Sequence, residues 1–292
     1  MRVLFLGFWL AAATPAFSHA AAQAPDRCYL IGVLVDPAQP AADVAHEMAR
    51  LRASAEDGGD FAAFLLGTFY RLGPKHPAAR LPQDGALARE WLHRSALGGN
   101  LGALAGLVEL DLAGGRPMDA LVHALVQVHF GRKYPDAAYS SHRARTGSQV
   151  NRAFDALGQP RSEALDAEIL ALVNAFVARH GEAIDSALQA AKARSPLDPC
   201  VGREVEPGVP LERKGASDVM APAWSPQLGR DSYALFHLSI DPKGRVEKAL
   251  VVDYWPDEQA LEAQRKIAEG MRFNKLRGVP KRVALLPVKL RS

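Results

Sequence analysis

Cysteine is almost missing from this chain: Cys28 and Cys200 are the only two in 292 residues. An apolar core must therefore carry the fold, and a hydrophobic content of 48% is enough for one. Charge is nearly balanced, with a formal net value of +3, which gives no electrostatic footprint for nucleic acid or a membrane surface. Beyond the first residues no apolar run approaches the roughly 20 residues needed to span a bilayer. Motifs for chemistry are equally scarce. There is no Gly-x-Ser-x-Gly elbow and no cysteine with a base partner in view. His46-Glu47-Met48-Ala49-Arg50 starts like a zinc-protease helix, but Arg50 stands where the second histidine must be. His123 and His129 sit six apart on a helical pattern, roughly 240° around the axis, so one face cannot offer both to a metal. Gly98-Gly99-Asn100-Leu101-Gly102 follows a helical pattern where a dinucleotide fingerprint needs a strand, so it reads as a turn.

The N-terminus does carry a signal. Met1-Arg2 is a positive start, Val3 to Ala13 is apolar, and Ser18-His19-Ala20 offers small residues for cleavage. This is the pattern of a secretory leader over residues 1–20, and it predicts a soluble, exported protein in the periplasm. In that oxidising compartment Cys28 and Cys200 could pair, although sequence alone does not bring them together.

Alanine-rich helical patterns fill residues 21–194. Gly58-Gly59-Asp60-Phe61 and Gly98-Gly99-Asn100-Leu101 recur at a period of about forty residues, each closing one helix and opening the next, which predicts stacked helical hairpins. Leu66-Gly67, Tyr70 and Gly73, then Leu81-Pro82-Gln83-Asp84, then Ala86, Ala88, Trp91 and Ala96 resemble the Sel-one-like repeat, a relative of the tetratricopeptide repeat. The resemblance implies a repeat core of Leu66, Gly67, Tyr70, Trp91 and Ala96, with Trp91 plugging the gap between hairpins. Residues 131–161 read as irregular, and helical periodicity returns from Leu165, with Gly181 a break or a tight corner. Six prolines between Ser195 and Gln227 predict an extended linker over 195–226.

From Tyr233 apolar residues alternate, Asp241-Pro242-Lys243-Gly244 supplies a turn, and Val246 to Tyr254 forms a second strand-like run. A helical pattern from Asp257 to Met271 and a third strand from Arg282 to Leu290 complete a strand-turn-strand-helix-strand order. These landmarks, with Val251-Val252, Met271-Arg272-Phe273 and Gly278-Val279-Pro280, resemble the C-terminal domain of the TonB family. Asn274 departs from the proline usual after Arg-Phe, and Trp224-Ser225-Pro226 departs from the usual Tyr-Pro lead-in. The resemblance implies capture of an extended peptide by strand addition at a sheet edge, with Val283, Leu285, Val288 and Leu290 as the candidate edge and Pro287 removing one donor.

The expectation is an α+β protein: helical-hairpin repeats in a short α-solenoid over 21–194, then a two-layer ββαβ domain over 227–292. Its expected role is non-enzymatic protein–protein interaction, with a protein or peptide of the envelope as partner and a link to TonB-dependent transport. No nucleic acid, no lipid once the leader is removed, and no cofactor, metal or catalytic residue is implied. Pairing of two chains through their C-terminal sheets is left open. The alternatives are a membrane-anchored energy transducer of the TonB type and a cell-envelope enzyme with an acid–base pair.

Overall fold

The computed structural model describes residues 28–134, 143–193, 232–275 and 281–290; the leader, the linker and Cys200 lie outside them. The fold is α+β, with helices leading into a small antiparallel sheet. The helical part comprises α1 (Ile31–Val35), α2 (Ala41–Glu56), α3 (Asp60–Leu72), α4 (Gly85–Leu97), α5 (Leu101–Ala113), α6 (Pro117–Lys133), α7 (Arg143–Leu157) and α8 (Glu163–Ala193). Consecutive helices from α2 to α7 pack against each other in chain order.

One hydrogen-bonded turn recurs three times. Gly59 N–H donates to Ser54 O at 2.9 Å, Asn100 to Ser95 at 3.1 Å and Arg116 to Asp111 at 2.8 Å, each spanning five residues. Gly58, Gly99 and Gly115 stand inside these turns at φ +92°, +90° and +66°. A side chain there would meet its own carbonyl, so glycine is what lets the helix stop and reverse. The Gly-Gly spacing in the sequence is thus a series of helix-closing turns.

The gap between hairpins is filled by Leu92, not Trp91. A Cβ added at Gly67 on α3 would stand 2.6 Å from Leu92 Cγ, and one at Gly106 on α5 would stand 3.0 Å from Leu92 Cδ2. Leu92 of α4 therefore sits where two helices have no side chain, and it is fully buried. Trp91, the expected plug, is half-buried with the Arg94 guanidinium 4.7 Å over its ring. One residue of helix is about 100° of rotation, which turns the indole toward the rim. Leu66, Gly67 and Ala96 are buried as expected, whereas Tyr70 is half-buried.

Two further expectations fail in the helical part. Residues 143–157 form α7, seated through Val150, Ala153, Phe154 and Leu157 beside Val108 and Leu121. Gly181 does not break α8, which runs unbroken to Ala193; the glycine is buried near Phe130.

The sheet comprises β1 (Ser232–Ile240), β2 (Val246–Trp255) and β3 (Arg282–Leu290), with α9 (Glu258–Gly270) between the last two, in the order β2-β1-β3. All nine residues of β1 are buried, so both faces of the strand are covered. On one face Ala234, Phe236, Leu238 and Ile240 meet Ala260, Leu261, Ile267 and Ala268 of α9. On the other, Tyr233 and Leu235 join Val252, Trp255, Ile31, Leu34, Phe61 and Leu65 in one apolar core. The expected ββαβ unit is present, and the helical part adds a third layer: the sheet is roofed by α9 and floored by the helices, while the expected linker lies outside the described residues.

Candidate functional site

The sheet edge comes first because the expected peptide site lies there. Among the described residues β3 pairs with β1 only, antiparallel, with Leu235 opposite Pro287 and His237 opposite Leu285. Of the four candidate edge residues, Val288 and Leu290 are buried and turn toward α9, so their side chains cannot meet a peptide. Strand alternation makes this unavoidable, since residues two apart share a face. Val283 and Leu285 are half-exposed on the opposite face, and Leu285 leans on the helical core. Proline in a sheet sits where its missing N–H would point away from the neighbouring strand. With Pro287 in that phase, the N–H groups of Val283 and Leu285 point outward as well. The outward N–H positions of the edge are therefore Val283, Leu285 and Lys289, with a gap at Pro287.

The floor of the sheet is locked by polar contacts. Arg71 on α3 pairs with Asp253 on β2 at 2.5 Å, and Tyr254 Oη donates to Lys75 O at 3.1 Å. The Arg152 guanidinium of α7 lies 4.7 Å over the Trp255 ring. Helix α1 is a wedge in this junction. Glu47 Oε2 accepts from Leu30 N–H at 2.7 Å at its start, and Arg80 donates to the carbonyls of Val33, Leu34 and Asp36 at its end. These are the groups a helix leaves unsatisfied at its termini. Glu47, part of the false zinc motif, thus has a structural task, while His46 is exposed. A Cβ at Gly32 would stand 2.9 Å from His237 Cε1, so α1 lies directly against β1 and His237 is a covered sheet-face residue. Lys248 Nζ reaches Asp36 at 2.8 Å, and that hydrogen bond lowers the Asp36 pKa against its burial.

His76 lies under the same junction. Its ring meets Phe69 edge-on with centroids 5.0 Å apart, and its Nδ1 accepts from Ala78 N–H at 3.1 Å. Burial pushes its pKa down to about 4, with a hydrogen bond to the Val252 backbone opposing the shift only in part. The ring is neutral at physiological pH, its proton on Nε2.

Sequence reasoning missed a second cluster. His93 of α4, His123 of α6 and His180 of α8 gather round Phe176, with ring centroids 6.3, 5.8 and 4.9 Å from it. His123 Nδ1 is 2.8 Å from Asp111 Oδ2, and the buried Asp111 also receives Arg89 and Arg116. Burial pushes Asp111 upward, but the hydrogen bonds from His123 and Arg89 prevail and hold it below its ordinary value. A carboxylate engaged by two guanidiniums has little basicity left for an acid–base partnership with His123. Burial and the neighbouring His180, His123 and Arg89 depress His93. The three histidines lie 30 and 57 positions apart in sequence, and only packing α4, α6 and α8 together unites them. Glu109, the other buried carboxylate of α5, is held by Gln149 at 2.6 Å and Arg152 at 3.0 Å. Among the described residues no group of three or more His, Cys, Asp or Glu is arranged to hold a metal ion.

Cys28 is half-buried beside the helical core; its pairing with Cys200 falls outside the described residues. Among the described residues no helix is long and apolar enough to cross a membrane. No family model, curated protein or solved structure matches this chain.

Proposed function

We propose that this is an exported, periplasmic, non-enzymatic interaction protein that captures extended peptide segments of envelope proteins along β3, with a role tied to TonB-dependent transport. The supporting observation is the sheet order: β2-β1-β3 leaves β3 at an edge with Val283 and Leu285 half-exposed, while both faces of β1 are covered. With the faces filled, backbone pairing at an edge is the mode of recognition left to this sheet, and strand addition supplies affinity through main-chain hydrogen bonds. Lys281, exposed just before the strand, and Lys289 on it limit indiscriminate edge-to-edge pairing. The helical part acts in this reading as the rigid base that fixes the sheet. The two buried carboxylates of α5 favour the binder over an envelope enzyme, since each is neutralised by arginine rather than facing a cleft as an acid–base pair.

The test is selection of displayed peptides on the full-length protein, repeated with Leu285→Pro after circular dichroism shows that the variant is folded. Peptides that bind the parent and lose the variant support the reading, and equal binding to both refutes recognition through this edge. N-terminal sequencing of the protein from cell envelopes separates the exported form, starting near Ala21, from an anchored transducer retaining Met1.

A further inference from the structure

Helix α8 is anchored toward its two ends and held more lightly between them. Leu165 and Ile169 are buried toward its start, and Ile184 and Leu188 toward its end. Between these anchors, from Leu170 to His180, no side chain is fully buried. This span rests on its neighbours through Phe176 and His180. Phe176 meets His93 of α4 and His123 of α6 edge-on, at ring-centroid distances of 6.3 and 5.8 Å. His180, one turn on, lies 4.9 Å from Phe176 and 5.1 Å from His93, with the two imidazoles nearly perpendicular at 82°.

That contact suits neutral rings and not charged ones. Two imidazolium ions at this spacing repel, and half-burial takes from each the water that would solvate it. The surrounding charges offer no relief. On α4, Arg89 acts on His93, while Glu90 and Arg94 pair with each other at 2.8 Å, half in water. On α5, Asp111 is already engaged by Arg89, Arg116 and His123. At the start of α6, Asp119 is exposed and lies 3.7 Å from Arg116. On α8, Arg179 acts on His180, and Glu182 is exposed two positions on, about 200° around the helix. None of the groups that act electrostatically on the two imidazoles is a carboxylate. Burial, then these neighbours, hold both histidines below their ordinary value of 6.5, so each takes a proton more readily when the span is open.

We propose that His93 and His180 form an acid-operated latch on α8: neutral, they close the span from Leu170 to Gly181 onto α4 and α6, and on protonation they open it. Opening is local, because the anchors at either end are apolar and Asp185 stays tied to Lys133 at 2.6 Å. It bares Val173 and Phe176, which rest against the helical core in the closed form. The latch stands apart from β3 and operates whether or not that edge takes a peptide.

Amide hydrogen exchange on the full-length protein at pH 7.5 and pH 5.5, corrected for the intrinsic pH dependence of exchange, tests this. Opening of residues 170–181 should rise by about tenfold to hundredfold at the lower pH, as uptake of one or two protons a unit below 6.5 requires, while α3 and α5 change less. His93→Gln combined with His180→Gln should remove the rise, and His76→Gln should leave it. Equal opening at the two pH values overturns the proposal, as does a rise undiminished in the double variant. A rise shared evenly by α3 and α5 also overturns it, since the whole fold would then be loosening. Circular dichroism at pH 7.5 shows whether the double variant is folded. If it is not, the imidazole Cε1–H resonances of the parent decide: His93 and His180 should take up their protons as α8 loses protection, and titration of both with α8 still protected overturns the latch.

Discussion

Arg71 of α3 and Asp253 of β2 form a buried ion pair at 2.5 Å across the junction of the helical part and the sheet, with 10% and 1% of their side chains exposed. The pair lies 182 residues apart in sequence. It sits beside Val252 and Trp255, so the charges and the apolar contacts of the junction stand or fall together. Arg71→Ala leaves Asp253 buried without its partner and should lower stability by about 3–5 kcal/mol in urea unfolding, whereas Arg71→Met with Asp253→Leu should recover most of it. A single variant as stable as the parent would mean that the junction is open in solution.

The packing around Leu92 makes a sharper test of the hairpin stack. Leu92→Ala should cost about 2–5 kcal/mol, because Gly67 and Gly106 cannot fill the space it leaves. Gly67→Ala forces a Cβ to 2.6 Å from Leu92 and should cost about 1–3 kcal/mol. Trp91→Ala should cost less than Leu92→Ala, since the indole is already half in water. The reverse ranking in thermal melts would restore Trp91 as the plug.

Acid should loosen the fold well above the carboxylate range. His76 is depressed from 6.5 to about 4 when folded, so the unfolded chain takes up a proton that the native state refuses. Its contribution is fully present above pH 6.5 and is lost as pH falls from there toward 4, on the order of 3 kcal/mol. His93 and His180 shift the same way, largely through burial, and add to the loss in the same window. Asp36 and Asp111, whose pKa values are lowered, add their loss only below about 3.8. Urea unfolding at pH 8 and pH 5 should differ accordingly, with a smaller difference in His76→Gln. Equal stability at the two pH values would contradict a neutral, buried His76.

The sheet should not survive alone. A fragment of residues 226–292 bares Tyr233, Leu235, Val252 and Trp255, which the helical part covers in the full chain. Its circular dichroism should lack a cooperative melt, and a well-dispersed amide spectrum from that fragment would show that the middle layer needs no floor.

Local patterns were legible in the sequence, and long-range partners were not. Alternation from Tyr233, the Gly-Gly turns and the amphipathic run before Met271 each report a period of 2 or 3.6 that one element imposes on itself. Alternation marked β1 as a half-buried strand, and a strand cannot say what covers its second face. Trp91 and Leu92 are neighbours on one helix, and only the glycines of α3 and α5 decide which of them is swallowed. Helix α7 was hidden by a polar composition, although Val150, Ala153, Phe154 and Leu157 keep helical spacing. His93, His123 and His180 carry no shared motif, since three helices bring them together.

Amide hydrogen exchange along β3, read residue by residue on the full-length protein with and without a selected peptide, tests the central claim most directly. The account requires fast exchange at Val283 and Leu285 and slow exchange at Ala284, Leu286 and Val288 in the free protein, because only the second set faces β1. Added peptide should then slow Val283 and Leu285 and leave the helical part unchanged. Protection of Val283 and Leu285 before any peptide is added, or their continued fast exchange at saturating peptide, would contradict recognition by strand addition at β3.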